Sequence, residues 1–343
     1  MPGTEFLGIP DNFLISLKFT HSSTALAAKT SGTQFATHME IVYDLELSKS
    51  HDAEIDMHSV VNLVSVVKAQ LHMLGGSEPC EVLQHMMRRT EKLLQAVKQQ
   101  DQAGLAEKEV EAFAEALLGL PESLVQAGCS VNDDDLAFYT ETIEDIVKVM
   151  KVRFAEIYRK WENPDEWLQF QISQFHYDFS RFFGAMEKNS RGRYRIVKNI
   201  AAVTEGQDYL LSFEVDSAFD PYLYMPLSVK DVIRDLAANA RKYTMPGGTI
   251  DIGIMQSNEI LRAVVRDSGM GIPADELDKV VQYGYRASNV KDKVRTMGGG
   301  FGLTKAYKVV KGLGGRMWIS SELNKGTSVK FELPMPEGVA KKK

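Results

Sequence analysis

Apolar positions recur at helical spacing through the first part of the chain. Between about residues 34 and 74 they form one broad face, made of Ile41, Leu45, Ile55, Val60, Val61, Val64, Val67, Leu71 and Leu74. Gly75-Gly76 ends this predicted helix. A second helix with near-heptad apolar positions follows, from Val82 to Val97. The pattern predicts an antiparallel helical hairpin, a unit that forms a four-helix bundle when two copies associate.

Helical spacing continues through the middle of the chain. It predicts helices at about 105–119, 133–160 and 165–187. Asn132, followed by three aspartates, is typical of a helix start, and Asn163 before Pro164 predicts another. Aromatic residues at helical spacing in the third helix indicate an apolar core: Phe175, Phe179, Phe182 and Phe183. The basic segment 190–195 predicts a domain boundary.

The last part of the chain changes to strand-like runs separated by helices. The runs are 209–215, 249–255, 260–266, 316–321 and 328–333, and the helices are 227–243, 274–283 and 302–312. This order predicts a mixed sheet with helices on one face, an α/β sandwich. The predicted domains are a lead-in (1–33), a hairpin (34–100), an additional helical region (101–190), the α/β sandwich (191–336) and a basic tail (337–343).

Composition narrows the class of protein. With 343 residues, 44% hydrophobic and 25% charged, the chain is typical of soluble proteins. A net charge of −6 argues against a general nucleic-acid binder. No apolar run approaches ~18 residues, so no membrane span is expected, and the N-terminus lacks the pattern of a secretory signal. Cys80 and Cys129 are too few for a disulfide framework or a zinc site, so we expect a reducing, cytoplasmic location.

Candidate chemistry begins on the predicted helix 227–243. Asp235, Asn239 and Lys242 lie three and four residues apart and therefore share one stripe. An acid, an amide and an amine on one stripe suit a polyanion held through a cation. The oxygens of Asn239 and Asp235 are ligands that Mg²⁺ accepts together with phosphate and water.

Two glycine-containing turns follow. Asp267 ends a strand-like run, and Gly269 and Gly271 allow a tight turn after it. A carboxylate in such a recess accepts hydrogen bonds from an exocyclic amino group such as that of adenine. The second turn exposes backbone N–H groups to phosphate before the helix that starts at Leu303, and its glycines are Gly298, Gly300 and Gly302. Each turn alone is more often a plain connector or surface turn, but their joint order favours a nucleotide site.

Together these blocks resemble the ATP-binding domain of sensor histidine kinases, in the wider family of gyrase, Hsp90 chaperones and mismatch-repair ATPases with the Bergerat-type α/β sandwich. The resemblance covers about residues 192–336. Asn239, Lys242 and Tyr243 match the N box, and Tyr285-Arg286 resembles an F box. The two glycine turns match the family's glycine boxes, and Gly326-Thr327 matches its closing strand pair.

The resemblance implies ATP and Mg²⁺ as ligands. It assigns Mg²⁺ to Asn239, adenine to Asp267 and phosphate contacts to Lys242, and it places Tyr243 near the base or ribose. Asp235 departs from the family, because kinase members carry Asn there and ATP-hydrolysing relatives carry Glu as a general base. Asp235 is thus predicted to ligate Mg²⁺ through water or to activate water.

The segment between Arg286 and Gly298 is polar and basic. We interpret it as a mobile lid in which Lys291, Lys293 or Arg295 neutralises phosphate charge. The alternative is a solvated loop that never closes over the site.

His58 is the candidate phosphoacceptor. It lies on the polar stripe of the first helix with Asn62 one turn along, which resembles the His-x-x-x-Asn/Thr spacing of histidine kinases. In these kinases the residue at the position of Asn62 can orient water in the reverse, phosphatase reaction. Ser59 replaces the usual acid, and the separation of His58 from Asn239 (239 − 58 = 181 residues) exceeds that usual in the family. The alternative is a histidine on a solvated helix face.

Three functions follow as hypotheses. The first is a homodimeric histidine kinase that autophosphorylates and passes phosphate to an aspartate of a response regulator. The second is a degenerate kinase that acts as a nucleotide-responsive scaffold. The third, motivated by Asp235, is a Ser/Thr-directed kinase or an ATPase on the same fold.

Overall fold

The computed structural model describes residues 38–190, 192–291 and 300–339. The predicted lead-in 1–33 and the end of the basic tail lie outside these residues. A short strand opens the described chain, and helices follow it: β1 (His38–Glu40), α1 (Lys49–Gly75), α2 (Glu81–Gln99), α3 (Glu107–Leu118), α4 (Leu120–Gln126) and α5 (Asp133–Glu162).

Helix α1 is shorter than predicted. Its N-cap is Ser48, whose side chain accepts a hydrogen bond from the backbone N–H of His51 at 3.2 Å. The expectation that the helix starts near residue 34 is therefore wrong, and residues 38–40 form a strand instead. The predicted end is confirmed, because Gly75 is its last residue and Gly76 has a φ of 52°.

The hairpin of α1 and α2 packs against α4 and α5 of the same chain, and α3 packs against α5. Their shared core contains fully buried side chains from each of these helices, among them Leu71, Val97, Leu117 and Phe154. The bundle that the sequence pattern assigned to two associated copies is thus built within one chain. The predicted N-cap of α5 is confirmed, because Asn132 accepts from the N–H of Asp135 at 3.0 Å.

Cys80 and Cys129 form a disulfide bond across 49 residues of sequence. It joins the N-cap residue of α2 to the segment between α4 and α5. The two cysteines, from which a reducing location was expected, are therefore oxidised in this structure. A count of two cysteines gives no information on whether folding brings them together.

The second half of the described chain forms the sandwich. Its elements are β2 (Trp167–Gln171), α6 (Ile172–Asn189), β3 (Ile196–Val197), β4 (Tyr209–Ser217), β5 (Tyr222–Pro226), α7 (Leu227–Tyr243), β6 (Thr249–Gln256), β7 (Ile260–Asp267), α8 (Gly302–Gly312), β8 (Arg316–Glu322) and β9 (Gly326–Pro334). The strand runs predicted from the sequence are all confirmed, and so are α7 and α8.

Within the described residues, the main sheet has the order β1-β8-β9-β7-β6-β4-β3. The pairs β3–β4 and β4–β6 are parallel and the others are antiparallel. Burial alternates along β6 and β7, as expected for a sheet with one fully covered face. Buried residues of α6, α7 and α8 share the core of this sheet, which confirms the predicted α/β sandwich.

Two predicted helices are partly wrong. Residues 167–171 form β2, which pairs antiparallel with β5, so the helix predicted for 165–187 begins only at Ile172. Asn163 accordingly follows the end of α5 instead of starting a helix. The helix predicted for 274–283 is reduced to a single 3₁₀ turn, Ala274–Glu276, followed by turns.

The N-terminal part of the described chain belongs to the sandwich. Strand β1 pairs with β8, and Ile41 is 2% exposed in the core of the sheet. The hydroxyl of Tyr307 donates to the backbone carbonyl of Tyr43 at 2.7 Å. Because Ile41 and α6 pack in the sandwich, the core boundaries differ from the predicted boundaries at 34 and 190. No helix in the described part of the chain is long and apolar enough to cross a membrane.

Ile41→Ala tests this anchoring. We expect a loss of about 2–5 kcal/mol in the free energy of unfolding of the sandwich, because a fully buried isoleucine is truncated. Urea unfolding followed by fluorescence measures it. The matched control is Val42→Ala, since Val42 is 83% exposed. Equal stability of both variants would contradict a buried role for this segment.

Candidate active site

A cavity of about 460 Å³ lies where the sandwich meets the helical bundle. Most of the predicted site residues line it: His58, Asn62, Asp235, Asn239, Lys242, Tyr243, Asp267, Gly271, Arg286, Gly300, Gly302 and Leu303. Residues from widely separated parts of the sequence therefore face one space.

Asp267 is one of the residues that line the cavity. It is the last residue of β7, and it lies opposite Ile250 of β6 and Thr327 of β9. Its carboxylate accepts hydrogen bonds from the backbone N–H groups of Gly269 at 2.8 Å and of Thr327 at 3.3 Å. Burial nevertheless raises the pKa of Asp267 to about 7, because desolvation outweighs these hydrogen bonds.

The turn after Asp267 packs against its neighbours and leaves no room for a side chain at Gly269 or Gly271. Gly271 has a φ of +66°, and a Cβ there would lie 2.1 Å from the carbonyl oxygen of Glu322. The N–H of Met270 donates to the carbonyl of Tyr243 at 3.0 Å, which fixes the turn against the end of α7. Gly269 is not among the residues that line the cavity, and its N–H is occupied by Asp267.

Helix α7 presents its predicted polar stripe to the cavity. Asp235 forms an ion pair with Lys305 of α8, with 2.6 Å between Oδ2 and Nζ. Asn239 lies against the first residue of α8, because a Cβ on Gly302 would be 2.6 Å from its Nδ2. Glycine at this position thus lets the α8 N-terminus approach Asn239 closely. Backbone N–H groups at a helix N-terminus favour phosphate.

The donors present fit Mg²⁺ bound together with a triphosphate. In the described chain no group of three or more His, Cys, Asp and Glu side chains could hold a metal ion by itself. Asp235 and Asn239 offer one carboxylate and one amide oxygen to the same cavity. Mg²⁺ commonly takes one or two protein oxygens and completes its shell with phosphate and water.

The loop after Gly284 forms a further wall. Glu276 accepts hydrogen bonds from the hydroxyl of Tyr285 at 3.0 Å and from the N–H of Ser288 at 2.9 Å. Arg286 of this loop lines the cavity, whereas Lys291 is exposed and is not among the lining residues. Lys293, Arg295 and Gly298 lie outside the described residues, so the lid stays a prediction.

The helical bundle supplies the opposite wall. His58 and Asn62 of α1 line the cavity, and Nδ2 of Asn62 lies 3.1 Å from Nε2 of His58. The His58 ring meets the ring of Phe301 edge-on, with 5.3 Å between centroids. Burial lowers the pKa of His58, although the negative charge of Asp235 opposes this change. The imidazole is therefore neutral at pH 7, the form that has a lone pair for nucleophilic attack.

Charged and aromatic contacts hold α1 against the sandwich. Lys308 of α8 pairs with Asp52 at 3.0 Å and with Asp56 at 3.1 Å. His51 stacks on Tyr283 with 3.9 Å between ring centroids, and Tyr283 stacks on Phe301 at 4.8 Å. These contacts hold α1 where His58 lines the cavity.

Several cavity residues were not predicted from the sequence. Arg153 of α5, Phe182 of α6 and Lys305 of α8 all line the cavity. Lys305 follows the glycine turn by three residues, so its place on the first turn of α8 could have been noticed. Arg153 and Phe182 have no local sequence signal, because tertiary packing alone brings their helices to the site.

Part of the chain that lines the cavity matches a known protein family. Residues 225–337 match the family described as "Histidine kinase-, DNA gyrase B-, and HSP90-like ATPase". The chain carries a histidine kinase-like ATPase domain. This confirms the resemblance read from the N box and the glycine turns.

Curated relatives of this ATPase domain are sensor kinases. Sensor histidine kinase WalK of Bacillus subtilis is 37% identical over 112 residues, which are 32% of this chain and 18% of WalK. Adaptive-response sensory kinase SasA of Synechococcus elongatus is 34% identical over 117 residues, which are 34% of this chain and 30% of SasA. The matches thus span less than a third of either relative's length.

Solved histidine kinase structures also align with the chain. The catalytic domain of histidine kinase ThkA aligns over 49% of this chain and 97% of its own, with 20% identity and a TM-score of 0.35. Full-length ShkA in complex with AMPPNP aligns over 66% of this chain and 45% of its own, with 15% identity and a TM-score of 0.39.

The raised pKa of Asp267 in the ATPase domain predicts a pH dependence of stability. Its stabilising contribution is fully present below the unfolded pKa of about 4 and is lost as the pH rises through 7. Between pH 4 and 7 the nucleotide-free wild type should lose roughly 4 kcal/mol relative to Asp267→Asn. Denaturant unfolding at several pH values measures this difference.

A control at an exposed carboxylate separates this effect from general charge. Asp216 lies exposed on β4, and Asp216→Asn should follow the pH profile of the wild type. If Asp267→Asn followed that profile too, the buried carboxyl would not be the group that titrates.

Proposed function

We propose that this protein is an ATP-dependent histidine kinase that transfers the γ-phosphoryl group of ATP to His58 and then to an aspartate of a response regulator. The observation that supports it is the shared cavity of His58, Asn239 and Asp267 within one chain. The long separation in sequence therefore does not keep His58 from the nucleotide site.

The cavity divides into a base end and a phosphate end. At the base end, the Asp267 carboxylate accepts hydrogen bonds from the adenine amino group, and the Gly271 turn allows close approach of the ring. At the phosphate end, Asn239, Lys242 and the N-terminus of α8 hold the triphosphate oxygens. Bound Mg²⁺, held by Asn239 and Asp235, supplies charge neutralisation to the phosphates.

His58 acts as the nucleophile. Its neutral imidazole attacks the γ-phosphorus, so that a nitrogen–phosphorus bond forms while the bond to the bridging oxygen of ADP breaks. The Asn62 amide donates to Nε2 in the tautomer protonated on Nδ1, which leaves the lone pair on Nε2. Asn62 must move off Nε2 during transfer, and from the same position it can orient water for the reverse reaction.

We also propose that the protein acts with a response regulator and as a homodimer. Because the relatives WalK and SasA are sensor kinases, they support a signalling partner. The hairpin core, however, is covered by α4 and α5 of the same chain. A dimer of this protein would therefore use a different face from the hairpin core that the sequence pattern suggested.

His58→Ala should abolish labelling by γ-labelled ATP. The wild type should carry an acid-labile, base-stable label, as expected for a phosphohistidine. The control is His72→Ala, because His72 lies exposed on the same helix, outside the residues that line the cavity. A label that persists in His58→Ala, or that survives acid, would remove His58 as the acceptor.

A mixture of two variants distinguishes transfer within a chain from transfer between chains. Because His58 faces the nucleotide cavity of its own chain, a mixture of His58→Ala with Asn239→Ala should stay unlabelled. Recovery of label in the mixture would show that the acceptor and the nucleotide belong to different copies.

Asp235 supports ATP hydrolysis as a second candidate function, because its carboxylate lines the cavity at the phosphate end. Asp235→Asn should then lower steady ATP turnover by about 100-fold or more, since general-base catalysis typically contributes that much. Turnover is measured in a His58→Ala background, so that breakdown of phosphohistidine does not contribute. Unchanged turnover in Asp235→Asn would exclude Asp235 as the base.

A further inference from the structure

Helix α5 contributes a cation to the nucleotide cavity. Arg153 lines the cavity together with His58, Asn62, Asp235 and Asn239. Helix α5 lies outside residues 225–337, which match the ATPase family, and outside the α1 helix that carries His58. The additional helical region, whose sequence pattern predicts no function, thus reaches the site directly.

The guanidinium of Arg153 is held in place by two carboxylates. Its Nη1 lies 2.9 Å from Oδ1 of Asp231 on α7 and 2.9 Å from Oε2 of Glu156. The side chain is 17% exposed, and that of Asp231 is 9% exposed. Asp231 also pairs with Lys160 and, at 3.1 Å, with Arg234. Arg153 is therefore positioned before any ligand arrives.

This ion-pair cluster, of which Arg153, Asp235 and Lys305 line the cavity, has a surplus of positive charge. Its cations are Arg153, Lys160, Arg234 and Lys305, and its anions are Glu156, Asp231 and Asp235. Four positive charges against three negative leave a net charge of +1. Two carboxylates engage Nη1 of Arg153, whereas a guanidinium has five N–H donors in a planar fork. Such a fork binds phosphate oxygens in a bidentate manner.

The location of Arg153 favours the γ-phosphate as the group of ATP that this side chain contacts. Asp267 and the Gly271 turn, to which the proposed function assigns the base, belong to the sandwich. Arg153 comes from the bundle, as does His58, which must lie next to the phosphoryl group that it receives. We propose that Arg153 binds the γ-phosphate of ATP, so that α5 completes the nucleotide site. This inference rests on the proposed ATP-dependent function.

The consequence is a preference for ATP over ADP. ADP lacks the γ-phosphate and loses this contact, whereas the contacts at Asp267, Asn239 and Lys242 remain. An arginine that served only to join α5 to α7 would instead affect both nucleotides alike. The ratio of the two affinities therefore distinguishes the proposed role from a merely structural one.

The experiment compares Arg153→Met with Arg159→Met in the full chain. Arg159 lies on the same helix, its side chain is 51% exposed, and it pairs with Glu166 away from the cavity. Calorimetry with Mg²⁺ measures the Kd for ADP and for a non-hydrolysable ATP analogue. In Arg153→Met the analogue should bind about 10- to 100-fold more weakly, while ADP affinity changes by less than about threefold. Arg159→Met should leave both values unchanged.

Arg153→Lys keeps the buried charge, and it tests the γ-phosphate contact if Arg153→Met does not fold. It should weaken the analogue selectively, by about three- to tenfold, because a point charge replaces the bidentate fork. An equal loss for both nucleotides, or an unchanged ratio in the folded variant, overturns the inference. Failure of the wild type to bind either nucleotide would instead overturn the proposed function.

Discussion

The buried carboxylate of Asp231 joins helix α5 of the bundle to helix α7 of the sandwich, next to the contacts that hold α1 against α8. Burial opposes ionisation of this group, and the positive charges of Lys160, Lys305, Arg234 and Arg153 overcome that opposition, so the pKa of Asp231 lies well below its usual range. Removing one partner from such a cluster leaves an uncompensated buried charge, which is strongly destabilising. The cluster thus fixes α5 against α7, one helical turn before Asp235.

This contact explains how His58 and the ATPase domain can be close in space although a long helical segment separates them in sequence. Helices α3 and α5 do not extend the chain away from the site. They complete the bundle that α1 and α2 begin, and the last turns of α5 return to α7. The hydrogen bond between Gln70 and Thr142, at 2.8 Å, and the arrival of both His58 and Arg153 at the cavity show that α1 and α5 run antiparallel. The extra residues therefore hold His58 in place.

Local sequence patterns predicted what depends on local structure. Strands β4, β6, β7, β8 and β9, helices α7 and α8, and the Asn132 cap follow from periodicity and capping within a few residues. Strand β1 was missed because its partner β8 lies near the other end of the chain, and three residues carry too little pattern of their own. The helix predicted for 274–283 fails because Glu276 hydrogen-bonds Tyr285 and Ser288, and Gly284 has a φ of 70°. These contacts favour turns, although the apolar spacing there is helical.

The candidate site likewise contains residues that could be predicted from local sequence and residues that could not. Asp235, Asn239, Asp267 and Gly302 could be predicted because their motifs lie on one continuous stretch and each has a recognisable chemistry. Arg153 could not, since its proposed role exists only where α5 meets α7. If Arg153 binds the γ-phosphate, the site is complete only while the bundle and the sandwich are docked. Linkage then requires that ATP stabilise docking by the same free energy by which docking strengthens ATP binding. The nucleotide and the Asp231 cluster would thus act on the same docking equilibrium. A signal that separates α5 from α7 would therefore affect both the phosphoacceptor and the bound nucleotide.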